Sequence, residues 1–261
     1  MSIDIRDVLF SELDKELKVT AVLIANEPGV FAGTDRLKRI LNDLKLEFEL
    51  YISDGMEFKA GDILLKVIGP PSKVLKAEDL VIGAIAKSSG IATAARRAKE
   101  IAGDKIRVVS GGWKKMPIEI KELIRQAISV GGIGIRIWDS PFIYLDKNYI
   151  RIFGGIKETL DYVSKIFNDR AKVVQIKGFT KPIEEEAIEA AINGADIIMI
   201  DTGEIEDITK VSNALRKHNL RNKVKLAFAG GLNMEKLKII KEYDVDIVDI
   251  GRAILDAPLI D

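Results

Sequence analysis

Glycines, cations and one acid recur at corresponding places along the second half of the chain. Each group follows a short β-branched run: Gly111-Gly112-Trp113-Lys114-Lys115, then Arg136, Lys177-Gly178, Asp201-Thr202-Gly203, Ala229-Gly230-Gly231 and Gly251-Arg252. In parallel βα folds, chemistry collects at the carboxyl ends of the strands, so these residues are expected to ring one mouth. The last two ends carry the sharpest signal. A Gly-Gly pair between strand and helix exposes backbone N–H groups, and Gly251-Arg252 offers a second set at the next helix start. Adjacent turns of this kind bind phosphate, although the same glycines also serve tight turns. Lys114 and Lys115 are compact charges suited to a diphosphate, or else two exposed structural lysines. Asp201 closes an apolar run, where a carboxylate is costly unless solvent, a cation or a metal meets it. A magnesium or ribose-hydroxyl ligand fits that position, and so does an N-cap for the helical stretch EIEDITKVSNALRK.

These residues need a scaffold, and the pattern supplies one. The runs are IRVVS (106–110), IGIRI (133–137), KVVQIK (172–177), ADIIMID (195–201), KVKLAFA (223–229) and VDIVDIG (245–251). Amphipathic stretches separate most of them: IEIKELIRQAISV (118–130), PIEEEAIEAAING (182–194) and NMEKLKIIKEY (233–243). Near-continuous apolar strands alternating with helices indicate a parallel sheet covered by helices. The ring of polar strand ends favours a small barrel of about six strands over an open doubly wound sheet. The first hundred residues differ. ELKVTAVLIA and LEFELYIS read as strands, GTDRLKRILNDLK as a helix, and GMEFKAGDILLKVIGPP as a compact hairpin unit stopped at Pro70-Pro71. A lipoyl or biotin carrier is not supported, because no lysine sits at a hairpin tip between small residues. A long helix over 73–102 leads onward. The expected fold is α/β, with an amino-terminal α/β sandwich and connecting helix at 1–102 and a βα barrel at 103–261.

Composition removes whole classes of function. The chain has 261 residues, 47% of them hydrophobic, enough to bury a full core. Forty basic residues balance forty acidic ones, so a general nucleic-acid or membrane-surface binder is not expected. Any anion site must be local. There is no cysteine, which excludes disulfides and thiolate chemistry. The one histidine, His218, lies in the polar stretch RKHNLRNK and reads as a surface residue. Metal chemistry would therefore use carboxylates, which favours magnesium or manganese. The start, MSIDIRDVLFSELDKEL, is not a signal peptide, and no apolar run is long enough to span a membrane, so a cytoplasmic protein is expected.

Between residues 20 and 257 the chain resembles the quinolinate phosphoribosyltransferases. Pro28-Gly29-Val30-Phe31-Ala32-Gly33, GDILLKVIGP, LKAED and SSGIAT (88–93) follow the family's order and spacing. GGWKKMP stands at its Thr-Arg-Lys-Thr-x-Pro motif, ISVGGIGIR at a glycine-rich turn ending in His-Arg, and NGADIIMID at a segment ending in a metal-binding aspartate. AFAGGLN and VDIVDIGRAI match two phosphate loops. The resemblance implies transfer of phosphoribosyl from phosphoribosyl pyrophosphate to quinolinate, with release of pyrophosphate and carbon dioxide. It also implies magnesium, and a homodimer or larger assembly in which the partner's amino-terminal domain completes each barrel mouth. Lys114 would meet the diphosphate, Arg136 a quinolinate carboxylate, Asp201 the metal, and Gly230, Gly231, Gly251 and Arg252 the phosphate. Departures are concentrated at the acceptor. Asp79 and Trp113 stand where the family has arginines, Ile135 where it has histidine, and Asp146 where it has lysine. The glutamate of the third barrel strand falls at Gln175 or Lys177. The three charge-changing replacements remove about five positive units around a pocket that must hold a dicarboxylate. Lys115 or Lys177 would restore part of that charge. A less anionic acceptor is the expectation. The alternative is an altered paralogue that binds a phosphorylated ligand without turnover.

Overall fold

A computed structural model describes residues 4–13 and 16–261. Met1–Ile3 and Asp14–Lys15, part of the opening segment, lie outside the described residues. The chain forms two compact units, one of 1–97, 116–132 and 255–261, the other of 98–115 and 133–254.

The first unit holds α1 (Ile5–Leu9), β1 (Val19–Ile24), β2 (Gly29–Val30), α2 (Thr34–Asp43), β3 (Glu47–Leu50), β4 (Glu57–Phe58), β5 (Ile63–Gly69), most of α3 (Pro71–Ala102) and α4 (Ile118–Val130). Its main sheet is antiparallel in the order β1-β5-β3. Alternating side chains of these strands meet Leu37 and Leu41 of α2 and Val74, Ala77 and Val81 of α3 in one apolar core. The tandem Pro70-Pro71 does not merely stop a strand. Pro71 opens α3, where its fixed φ and missing N–H suit the first helical position.

The second unit carries β6 (Arg107–Val109), β7 (Phe142–Leu145), α5 (Lys147–Phe153), α6 (Ile156–Ile166), β8 (Ala171–Ile176), α7 (Ile183–Ile192), β9 (Ile197–Ile200), α8 (Glu206–Lys217), β10 (Lys225–Phe228), α9 (Met234–Ile240), β11 (Ile247–Asp249) and α10 (Arg252–Leu255). All six strands run parallel in one sheet, ordered β6-β11-β10-β9-β8-β7 and curled into a half-barrel. Val109, Val173, Ile197, Met199, Ala227 and Ile247 fill its concave side.

One expected strand is corrected. Residues 133–137 touch β6 through a single bridge at Gly134, and the sixth strand is Phe142–Leu145 instead. Gly132 sits at φ 89°, which turns the chain before pairing can propagate. At Gly134 a side chain would meet Val109 Cγ1 at 3.0 Å, a tight approach that glycine relieves. The helices α5 and α6, between β7 and β8, were also not foreseen.

At the amino ends of the strands, Arg221 ties two loops together. It pairs with Asp244 at 2.7 Å and Asp246 at 2.9 Å and donates to the Val224 carbonyl. Its side chain is only 11% exposed, so removing it leaves Asp244 and Asp246 with only the more exposed Arg216 and Lys225 as cationic partners. Arg221→Ala should cost about 2–3 kcal/mol, read as a lower denaturant midpoint at unchanged slope.

Candidate functional site

The register of the parallel strands sets the mouth. Ile176 pairs with Ile200, Ile200 with Phe228, and Phe228 with Val248. One residue further on stand Lys177, Asp201, Ala229 and Asp249, level with one another. Side chains alternate along a strand, so these four share the face of Val173, Met199, Ala227 and Ile247 and form the layer above the inner core. Tyr144 and Gln175 belong to the same concave face.

Asp201 is met by a cation. Its Oδ2 lies 2.9 Å from Lys177 Nζ, and Gln175 Nε2 donates to the same oxygen. Lys177 Nζ also donates to the Asp201 carbonyl at 2.5 Å. Helix α8 begins only at Glu206, with Ile205 at its N-cap, so Asp201 is not the helix cap. Lys177 is held in place from behind. Buried Glu186 accepts from the N–H groups of Lys177, Gly178 and Thr180, and from the Thr180 hydroxyl. Sequence reasoning missed Glu186, although its position one turn into α7 is a usual place for an acid to collect loop amides.

Asp249 was also missed. Its Oδ1 accepts the Gly111 N–H at 2.9 Å. A side chain at Gly111 would meet Asp249 Oδ2, so glycine there makes room for the carboxylate. The signal was available, since Asp249 interrupts an apolar strand as Asp201 ends one. Burial pushes its carboxyl above the ordinary carboxylate range. The Gly111 N–H and the Lys114 and Lys115 charges oppose that rise, and Asp201 adds to it. Burial likewise raises Tyr144, reinforced by Asp201, Asp249 and Asp146. A carboxyl whose folded value is raised binds its proton more tightly folded than unfolded. Its contribution to stability is therefore full at low pH and falls as pH climbs from the ordinary carboxylate value through the raised one. Asp249→Asn should remove that decline, giving a flatter and higher melting-temperature profile towards neutral pH.

Lys114 and Lys115 end a single 3₁₀ turn, Gly112–Lys115, and both are exposed. Lys114 Nζ lies 5.8 Å from the centre of the Tyr144 ring. Trp113 donates its indole N–H to the Ile135 carbonyl at 3.0 Å. The remaining expected residues divide. The N–H groups of Gly230, Gly231 and Gly251 donate to nothing among the described residues. Gly230, at φ 113°, also packs against the Thr202-Gly203 backbone where any side chain would collide, so a packing role and an open N–H coexist there. Arg252 opens α10. Arg136 is exposed, its guanidinium 5.0 Å from the ring of Phe142, the first residue of β7, and no contact joins it to the Lys177–Asp201–Asp249 layer among the described residues. Asp146 directly follows β7. It caps α5, accepting from the N–H groups of Asn148 and Tyr149. Asp79, in the first unit, is ion-paired with Arg6 of α1.

The donor set fits a magnesium ion of one kind. Among the described residues no three carboxylate or histidine groups converge as a metal cage. One or two carboxylates with diphosphate and water completing the shell is a usual magnesium arrangement, and Asp201, whose Oδ1 makes no hydrogen bond among the described residues, could supply one. No helix among the described residues is long and apolar enough to cross a membrane.

Known proteins resemble the chain along nearly its whole length. The family models of the quinolinate phosphoribosyl transferase amino-terminal and carboxyl-terminal domains match residues 7–89 and 91–261. A probable carboxylating nicotinate-nucleotide pyrophosphorylase of Archaeoglobus fulgidus is 29% identical over 251 residues, covering 93% of this chain and 92% of the relative. One from Methanothermobacter thermautotrophicus is 25% identical over 256 residues, covering 92% and 85%. The solved nicotinate-nucleotide pyrophosphorylase of Francisella tularensis superposes with a TM-score of 0.82 at 22% identity, over 97% of this chain and 88% of that one, a likeness of fold.

Proposed function

Because the chain belongs to the quinolinate phosphoribosyl transferase family, we propose that it transfers the phosphoribosyl group of phosphoribosyl pyrophosphate to quinolinate or a related, less anionic acceptor. With quinolinate the products are nicotinate mononucleotide, pyrophosphate and carbon dioxide, a step of NAD biosynthesis in the cytoplasm. The observation that carries the reading is the pair of open glycine turns, at Gly230-Gly231 and Gly251, beside Lys114 and Lys115 on the same mouth. The turns hold the ribose 5-phosphate group, and Arg252 lies at the second of them. The lysines neutralise the departing diphosphate. The transition state is oxocarbenium-like, so positioning and charge stabilisation are the main work. Asp201 stabilises positive charge at the ribosyl ring and would be the protein ligand of a magnesium ion, which supplies further neutralisation of the diphosphate when bound.

The acceptor side is the changed one. Lys177, Lys115, Trp113 and Arg136 are its candidate contacts, with Asp79 of a partner chain. Asp79 brings Arg6 with it, so a guanidinium returns to that point of α3. A homodimer or larger assembly agrees with the apolar cleft of about 500 Å³ in the first unit, whose rim exposes Val22, Ile24, Leu75 and Ile82. The altered-paralogue reading draws on Lys177, which neutralises Asp201 with an ammonium. Carbon dioxide release from quinolinate and phosphoribosyl pyrophosphate decides the acceptor. Release at a rate above the uncatalysed control assigns quinolinate. Pyrophosphate release with another pyridine acceptor and not with quinolinate assigns the less anionic class. Neither product with any acceptor overturns the enzyme reading.

A further inference from the structure

Arg151, Phe179 and Lys177 meet at the rim of the mouth. The turn after β8 presents Phe179 to solvent with 57% of its surface exposed. That turn is fixed, because Glu186 accepts from the N–H groups of Lys177, Gly178 and Thr180 and from the Thr180 hydroxyl. Gly178, at φ 68°, turns the chain just before the ring. Two cations stand over that ring, the Arg151 guanidinium 5.5 Å and the Lys177 ammonium 6.0 Å from its centre. They come from neighbouring strand ends. Lys177 directly follows β8, and Arg151 lies on α5, the helix after β7, which pairs with β8. The start of α5 is tied to the same layer, since Gln175 accepts the Lys147 N–H at 3.1 Å and donates to Asp201. Lys177 is already paired with Asp201. Arg151 is exposed and has no carboxylate partner among the described residues.

A single exposed Phe is ordinary on a protein surface. This one is held rigidly beside a guanidinium without a counter-charge, at the end of the strand that carries Lys177. The pair has a definite chemistry. A guanidinium takes a carboxylate through two parallel N–H bonds. A phenyl ring takes the flat body of an aromatic ligand in an offset stack or an edge-to-face contact. A phosphate would use the guanidinium and leave the ring bare, and an amine would be repelled by both cations. Only one of the two cations is free, so the cluster matches one carboxylate rather than two. We infer that Arg151 and Phe179 bind the acceptor, Arg151 holding its carboxylate and Phe179 packing on its ring, and that they select a planar aromatic acid with a single carboxylate. This rests on the proposed phosphoribosyl transfer and narrows its less anionic acceptor to one class.

The test titrates benzoate, cyclohexanecarboxylate and benzene-1,2-dicarboxylate calorimetrically into the full chain saturated with phosphoribosyl pyrophosphate and magnesium. Phe179→Leu, Arg151→Gln and Arg151→Lys are treated alike. None of the probes carries a ring nitrogen, so none can accept the phosphoribosyl group. The wild type is expected to bind benzoate about fivefold more tightly than cyclohexanecarboxylate, which has the same charge and no aromatic face. The second carboxylate of the dicarboxylate should add nothing. Phe179→Leu should lose the preference for benzoate. Arg151→Gln should bind both monocarboxylates about tenfold more weakly, and Arg151→Lys should recover part of that loss. All three variants should keep the wild-type affinity for phosphoribosyl pyrophosphate, which also shows that they are folded. Unchanged benzoate affinity in Phe179→Leu and Arg151→Gln overturns the inference. So does tighter binding of the dicarboxylate than of benzoate, an equal loss for phosphoribosyl pyrophosphate, or no benzoate binding by a wild type that binds phosphoribosyl pyrophosphate. If the wild type does not bind phosphoribosyl pyrophosphate, the phosphoribosyl reading itself has failed and the inference falls with it, a result distinct from the others.

Discussion

Asp201→Asn should lower kcat/KM for phosphoribosyl pyrophosphate by about 10²–10³-fold, the usual loss when one preorganised charge aimed at the transition state is removed. The carboxylate is the one acid that both faces the expected ribosyl position and is held on two sides, by Gln175 and Lys177. Substitution has a second effect. Lys177 is 24% exposed on its side chain and would be left without its counter-charge. Thermal stability should fall along with activity. Pairing Asp201→Asn with Lys177→Met should recover stability, because the stranded ammonium is gone, while activity stays low. Recovery of activity in the double variant would instead mean that Asp201 acts only by holding Lys177.

Lys114→Ala should cost about 100-fold in kcat/KM and weaken inhibition by inorganic diphosphate by a similar factor. Binding of inorganic phosphate at the glycine turns should not change. The lysine is exposed at the end of a 3₁₀ turn, so folding does not depend on it. Its effect is a point charge near a leaving group, and salt screens it. The gap between wild type and variant should therefore narrow as ionic strength rises. Lys114→Arg restores charge but not the compact ammonium beside Tyr144, and should recover only part of the rate.

Much of this was legible in the sequence because the strands are apolar on both faces. ADIIMID and KVKLAFA leave no doubt about a covered parallel sheet, and the polar residues after them mark the mouth directly. IGIRI misled for a physical reason. Its composition is that of a strand, yet the Gly131-Gly132 turn before it and the close approach at Gly134 restrict pairing to one bridge. FIYL was the strand instead, although the Pro141 before it and Asp146 after it bound it well. The site was half legible. Glycine turns and lysines announce themselves by type and place. What Asp201 touches does not, because its partner Lys177 is on another strand and only the register brings them level. Asp249 stayed hidden inside a run that reads as plain core, and its role depends on Gly111, 138 residues away, having no side chain.

The most direct measurement is a calorimetric titration of the full chain with phosphoribosyl pyrophosphate, with and without magnesium. We expect binding at one molecule per chain, tighter with magnesium, because Asp201 would hold the ion and the ion would supply further neutralisation of the diphosphate. It should weaken when Gly251 is replaced by a bulky residue that covers its N–H. No heat of binding at millimolar ligand, with the ion present, would contradict the account.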